Sequence, residues 1–297
     1  MTTPVPGPDG TLPVDTDIVH TPRPRAPDGQ FAPGTIIASR YRISGILGAG
    51  GMGEVFRADD LTLGQQVALK FLPAKFAHQP VFLARLRDEV RLGRLVTHPN
   101  VCRIYDIVEW EGAQFVAMEY VEGEDLARLL KRIGRFAQDK AADIARGLAA
   151  GLLAAHAKGV LHRDLKPANV MIDSLGARIM DFGLALNAGD QHDGVIAGTP
   201  AYIAPEQLEG VQASVQSDLY ALGLVMYELI TGRRVHNAAS FNDRIAQLTN
   251  EVPKPSSIAR EIDPAVEAII LKCMTADPAQ RPRCVRNRRT FSPSARA

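Results

Sequence analysis

Cysteine and tryptophan are scarce in this sequence: of 297 residues three are Cys and one is Trp. Cys102, Cys273 and Cys284 are odd in number, far apart and without paired metal-ligand spacing, which argues against a disulfide framework and fits reduced thiols in a cytosol. A long apolar run is also missing. A membrane span needs roughly 18 uninterrupted apolar residues, and the nearest stretch, over 219–231, is shorter and contains Glu228. The N-terminus has no basic patch followed by an apolar core, so no secretory signal is expected and a cytoplasmic location follows. Charge of one sign is absent too, with 34 basic residues against 33 acidic ones. Nothing in the whole-chain field therefore points to nucleic acid or an anionic membrane, and any anion must be held locally.

What is present is ample core, 46% hydrophobic residues in a chain long enough for one large or two medium folding units. Residues 1–33 hold eight of the twenty prolines and few large apolar side chains. Such a segment buries too little surface to offset its ordering entropy, so a disordered tail is expected there. A strand follows over 41–47, then Gly48, Ala49, Gly50, Gly51, Met52 and Gly53, with a second apolar stretch from Val55. Glycines spaced G-x-G-x-x-G let backbone N–H groups approach phosphate oxygens. In dinucleotide-binding folds that loop runs into a helix. Here it runs into β-type residues, so a strand-loop-strand flap is the better reading.

A strand over 66–72 carries Lys70 among apolar neighbours, and a helix over 79–95 carries Glu89 with apolar residues at helical spacing. Two further strands, 101–109 and 114–121, flank the turn at Glu111-Gly112 and end in Met118, Glu119, Tyr120 and Val121. That extended segment can offer backbone hydrogen bonds to an adenine ring. Beyond Gly123 the pattern turns helical, with a short helix over 126–133 and a long one over 138–158 whose wide apolar stripe argues for burial.

The stretch His162-Arg163-Asp164-Leu165-Lys166-Pro167-Ala168-Asn169 then combines a carboxylate, a cation and a metal-ligating amide, and Asp181-Phe182-Gly183 follows. Phosphoryl transfer asks for alignment and charge neutralisation, which a carboxylate, oxygen ligands for hard cations and one or two cations supply. The order and separation of these motifs, over about residues 36–283, resemble a eukaryotic-type serine/threonine protein kinase catalytic domain of the bacterial kind. The resemblance implies an α+β fold of two lobes, a β-rich N-lobe with one main helix over about 34–121 and a mainly helical C-lobe over about 122–283. It implies that ATP lies between them against Leu47, Gly48, Ala49, Gly50, Gly51, Met52, Gly53, Val55, Ala68, Lys70, Met118, Glu119 and Val121, with Mg2+ or Mn2+ on Asn169 and Asp181. Asp164 is then the residue that accepts or orients the substrate proton, Lys166 sits on the transferred phosphoryl group, Lys70 pairs with Glu89, and Thr199 helps to position Asp164. Glu206 of Ala204-Pro205-Glu206 pairs with Arg281, and Asp218 anchors the catalytic loop. Protein substrates with Ser or Thr acceptors are implied, autophosphorylation among the reactions. None of Lys70, Asp164, Asn169 and Asp181 is missing, as one would be in a pseudokinase-like scaffold, and Ala204-Pro205-Glu206 disfavours a small-molecule phosphotransferase.

The sequence departs from the pattern in three places. Between Asp181 and Glu206 the only hydroxyl-bearing residues are Thr199 and Tyr202, and Leu186 stands where loop-phosphorylated kinases place a base. Arg163 thus lacks a phosphate partner, and Asp190 or Asp193 is the expected substitute. Gly93 stands four residues after Glu89, where a larger apolar residue commonly packs on Phe182. The basic tail, 284–297, shows almost no apolar periodicity in place of the closing amphipathic helix. Ala168 indicates no strong preference for basic residues around the acceptor.

Overall fold

The computed structural model describes residues 31–50, 53–73, 76, 79–182, 199–248 and 251–282. Six strands form the first lobe: β1 (Ile36–Ile37), β2 (Tyr41–Gly50), β3 (Gly53–Asp60), β4 (Gln65–Phe71), β5 (Ile104–Trp110) and β6 (Ala113–Glu119). Their order is β1-β2-β3-β4-β6-β5, every neighbouring pair antiparallel. The expected strand-loop-strand flap is present. The β2–β3 ladder runs out to Gly50 opposite Gly53; Gly51 and Met52 between them lie outside the described residues. Gly53 has φ +110, and a Cβ there would lie 1.9 Å from the Phe71 carbonyl oxygen, so no other residue fits.

One face of this sheet is closed by aromatic side chains. Tyr41 meets Phe115 and Phe56 meets Phe71 edge-on, both at 5.7 Å between ring centroids. Phe31 joins them, 4.9 Å from Phe71 and 2% exposed. The ordered chain therefore begins before residue 33, where the tail was expected to end. A single aromatic among Pro and Gly carries no periodic signal, yet burying it seals the open end of the cluster.

The other face carries α1 (Pro80–Gly93), which buries Leu86, Val90 and Gly93. It is shorter than the expected 79–95, and Leu95 is exposed. Gly93 marks where Ile104 of β5 comes in: a Cβ would sit 2.9 Å from Ile104 Cδ1. The volume expected from a larger residue at position 93 is supplied by a neighbouring strand.

The second lobe is built on α2 (Leu126–Ile133), α3 (Gln138–His156), α4 (Pro205–Leu208), α5 (Val215–Thr231), α6 (Phe241–Ala246), α7 (Pro255–Ile258) and α8 (Pro264–Cys273). Every residue of α5 from Ser217 to Thr231 is buried, so this helix is the axis of the lobe. Its start is fixed by a capping box in which Ser214 Oγ accepts from the Gln216 and Ser217 N–H groups and Ser217 Oγ donates back to the Ser214 carbonyl. Not expected from sequence is a small sheet, β7 (Glu124–Asp125), β8 (Val170–Asp173) and β9 (Gly176–Ile179), lying against α3. Gly123 permits it, since a Cβ there would lie 2.4 Å from the Ile172 carbonyl oxygen. The tails, 1–30 and 283–297 with Cys284, fall outside the described residues.

Phe31→Ala is expected to lower unfolding stability by about 3–5 kcal/mol, the range for truncating a buried Phe. Urea titration measures it, and the unchanged stability of a solvated tail residue is the contrary result.

Candidate active site

The loop from His162 to Asn169 is held from beneath by one carboxylate. Asp218, 2% exposed in the first turn of α5, accepts the N–H of His162 at 2.8 Å on Oδ2 and that of Arg163 at 2.9 Å on Oδ1. His156, the last residue of α3, meets Oδ2 at 2.8 Å. The anchoring role expected for Asp218 is thus visible as two charge-assisted bonds, and Arg163 adopts φ +68 between them.

Above the anchor the side chains converge on Asp164, which is 4% exposed. Lys166 Nζ donates to its Oδ2 at 2.6 Å and to Thr199 Oγ1 at 2.5 Å. Thr199 contributes its N–H to Asp164 Oδ1 at 3.0 Å and its hydroxyl at 3.1 Å. Asn169 Nδ2 donates to the Asp164 carbonyl at 2.8 Å and to Oδ2 at 3.2 Å. Three sequence-predicted residues therefore meet around the carboxylate of a fourth. The amide nitrogen of Asn169 is used internally, which leaves its oxygen as the group suited to a hard cation.

The nucleotide side is arranged differently from expectation. Lys70, in register with Val55 on one side and Val116 on the other, points its Nζ at Asp181 Oδ2, 2.8 Å away. Glu89 is paired instead with Arg163. The expected Lys70–Glu89 pair is therefore not formed. Among the described residues Arg163 takes its anion from Glu89 of α1; Asp190 and Asp193, the expected partners, lie outside the described residues. The physical reason is supply: Asp181 and Arg163 each present a charge with no other partner among the described residues, and the nearest opposite charges satisfy them. Burial alone would raise the Asp181 carboxyl, but the charge and hydrogen bond of Lys70 hold it below the usual carboxylate range. Asp181 sits at φ +58, and Phe182, 2% exposed, packs its ring edge-on against His162 at 4.8 Å.

Across the cleft, Ala68 stands directly opposite Met118 in the β4–β6 ladder, both buried, with Val121 buried beyond. Glu119 turns its carboxylate to Arg178 of β9 at 2.6 Å and accepts the Arg103 N–H at 3.2 Å. Among the remaining expected contacts, Gly48 pairs with Val55 and Ala49 with Glu54 in the flap, while Leu47 is exposed. A cleft beside Asp164 is lined by Arg163, Thr199, Tyr202, Ile203, Gln207 and Ser217. Behind it the expected Glu206–Arg281 pair is present as a two-pronged bond at 2.6 and 2.7 Å, with Arg281 also reaching the carbonyls of Thr275, Ala276 and Gln216. Sequence reasoning missed three residues: His156, Arg178, and Arg234, which meets Glu228. None sits in a recognisable motif, and each acts on a partner 6 to 62 positions away.

Fold and site together define a two-lobed protein of the protein kinase type. The family model described as protein kinase domain matches residues 41–288. The chain belongs to that family, as a catalytic domain of the bacterial serine/threonine kind. Among its curated relatives are the serine/threonine-protein kinase pkn3 of Myxococcus xanthus, 36% identical over 87% of this chain and 50% of its own length, and PrkC of Bacillus subtilis, 34% identical over 84% of this chain and 39% of its own. The chain spans half or less of the length of these relatives. The crystal structure of the Mycobacterium tuberculosis PknI kinase domain superposes with a TM-score of 0.70 at 27% identity, covering 86% of this chain and 95% of that one. Among the described residues no helix is long and apolar enough to cross a membrane.

Two buried imidazoles, His162 in the site and His236 beside Tyr220, make the fold acid-sensitive. His162 is a neutral ring by geometry, Nε2–H donating to the Met180 carbonyl at 2.9 Å and Nδ1 accepting the Asp164 N–H at 3.2 Å. Burial pushes its pKa down, and burial together with the Arg244 cation brings His236 from 6.5 down to about 4. The unfolded chain takes up these protons near pH 6.5 while the folded one resists. Their stability contribution is therefore complete above about pH 6.5 and is lost as pH falls, for His236 toward about 4. Urea midpoints should decline across that window, and His236→Gln should flatten the decline.

Proposed function

We propose that this chain transfers the γ-phosphoryl group of ATP to serine or threonine hydroxyls of proteins, from a cytoplasmic location. The observation that carries the reading is the convergence of Lys166, Thr199 and Asn169 on the carboxylate of Asp164, beside a small pocket lined by Thr199, Tyr202 and Gln207. In this role Asp164 orients the acceptor hydroxyl and takes its proton, and Lys166, 2.6 Å from that carboxylate, neutralises the transferred group. Thr199 fixes the Asp164 rotamer from the substrate side. Ala68, Met118 and Val121 line the adenine pocket, the backbone of Glu119 meets the base, and the flap from Leu47 to Val55 covers the phosphates. Asp181 and the Asn169 amide oxygen are hard ligands that fit Mg2+ or Mn2+, and the bound cation would neutralise charge on the phosphates.

The partner exchange at Lys70 follows from the same charges. Asp181 holds either Lys70 or a cation. Once released, Lys70 has phosphate oxygens and Glu89 as its anionic partners, and Glu89 must leave Arg163 to meet it. Arg163 therefore does the work of a phosphorylated loop in reverse: with Glu89 as its partner it holds α1 off Lys70. No phosphate on the segment between Asp181 and Glu206 is needed for its release, because the metal nucleotide supplies the competing charge. A nucleotide-binding scaffold without turnover is the second reading, favoured by the observed Lys70–Asp181 pair.

Labelled ATP with Mg2+ and myelin basic protein separates the two readings. Wild type should label the acceptor, while Asp164→Asn and Lys70→Met should fall by at least about 100-fold, the scale of acid-base and electrostatic contributions. Nucleotide binding without label in any of the three supports the scaffold. Mass spectrometry of the active protein should find no phosphate within 184–199 on which activity depends.

Removing the competitor should help nucleotide binding. Arg163→Gln is expected to tighten Mg2+-ADP several-fold in calorimetry, because the competent state no longer carries the cost of breaking the Glu89 pair. Glu89→Gln should weaken it, and weakening by both variants would mean that the Arg163–Glu89 pair supports the competent state.

A further inference from the structure

The platform beyond Thr199 carries a buried acid that the transfer reaction leaves unused. Glu228 of α5 is 8% exposed. Its Oε2 accepts the Tyr202 hydroxyl and its Oε1 accepts Arg234 Nε at 3.3 Å. Tyr202 closes the single 3-10 turn Pro200–Tyr202, whose N-cap is Thr199, the residue in direct contact with Asp164. Such a turn advances only about 6 Å. The acid therefore lies within reach of side chains flanking an acceptor hydroxyl placed at Asp164.

A carboxylate buried to this degree needs donors or a cation. Tyr202 is a firm donor, because burial and the Glu228 charge hold its phenol well above its ordinary range. The cation is loosely attached by comparison. Arg234 is 52% exposed, touches Glu228 through one nitrogen, and lies 6.0 Å from the centre of the Tyr202 ring. Arg281 shows what a structural pair looks like in this same lobe: its side chain is 0% exposed and it grips Glu206 with two nitrogens. A half-exposed, single-pronged pair contributes little to holding a fold together. What Arg234 does achieve is to neutralise the Glu228 carboxylate behind Tyr202.

We infer that Arg234 is a specificity-determining residue which occupies, from within the chain, the place on Glu228 that a basic side chain of a protein substrate would take. That place is acidic by construction and closed to substrate arginine or lysine by its own tenant. The kinase consequently does not select acceptors with a base at that position. This rests on the protein-kinase reading above, and it deepens that reading by naming what the substrate need not carry.

The test compares Ser-containing peptides that carry a single Arg at successive positions around the serine with their all-alanine parent, on wild type, Arg234→Gln and the double variant Arg234→Gln/Glu228→Gln. Arg234 is exposed at the surface, so the single variant is expected to fold as wild type does. Wild type should treat all peptides within about 3-fold, whereas Arg234→Gln should gain about 10-fold or more in kcat/KM at one Arg position, largely through KM, as a new charge-assisted bond allows. The double variant should lose that gain. Fluorescence anisotropy with Ser→Ala versions of the same peptides, in the presence of ADP, reads the preference without turnover. If no peptide is phosphorylated by any of the proteins, the kinase reading fails, and the anisotropy still decides the role of Arg234. Equal binding of Arg and alanine peptides by Arg234→Gln overturns the inference, as does a 10-fold Arg preference already present in wild type and unchanged in the variant.

Discussion

The buried carboxylate of Asp218 is the constraint on which the rest of the site depends. It sits in the first turn of α5, where the helix dipole favours a negative charge, and its position is set by the Ser214 capping box one turn earlier. From there it takes two consecutive N–H groups of the catalytic loop, at His162 and Arg163. Hydrogen bonds to a charged acceptor are worth about 1.5–3 kcal/mol each, enough to hold Arg163 at a positive φ that a non-glycine residue resists. Turning the backbone there places the Asp164 side chain on the cleft side of the loop. A buried helix thus transmits its rigidity directly to the reacting end of the molecule.

The charges around the cleft form two shared pairs. Lys70 and Arg163 are the cations, Glu89 and Asp181 the anions, and the structure joins Lys70 to Asp181 and Arg163 to Glu89. Both pairs bridge elements: the first ties the N-lobe sheet to the segment after β9, the second ties α1 to the catalytic loop. Exchanging partners would therefore move α1 relative to the sheet without creating an unpaired buried charge. α1 is suited to such a movement, since it buries only Leu86, Val90 and Gly93 and has no side-chain cap at its N-terminus.

Much of this was legible in the sequence. The residues surrounding Asp164, the Glu206–Arg281 pair and the Asp218 anchor were all expected, because the resemblance to protein kinases carries these pairings along with the motifs. The Lys70–Glu89 pair was expected for the same reason and is absent, because motif membership says which charges share a cleft and not which of two available anions a lysine chooses. That choice turns on where α1 is placed. Phe31 escaped notice through lack of periodicity. The β7–β9 sheet escaped because its strands have only two to four residues, too short for alternation to register. Arg234 was invisible because its meaning lies wholly in the burial of Glu228, six residues earlier and the one charge in an otherwise apolar stretch.

The small sheet earns its place by what it does to the hinge. Glu119 ends β6 with its carboxylate drawn to Arg178, and Arg178 is itself fixed by Asp173 at 2.7 Å. β9 also receives the Cys102 N–H on the Ile179 carbonyl and returns its own N–H to the Asn100 carbonyl. The segment that leads into the N-lobe strands and the segment that leads out of them are therefore both tied to β9, one through backbone bonds and the other through an ion pair. Gly123 lets the outgoing segment lie flat against β8 where any side chain would push it away. Asp181, two residues beyond β9, is thus carried by the strand to which both segments are tied.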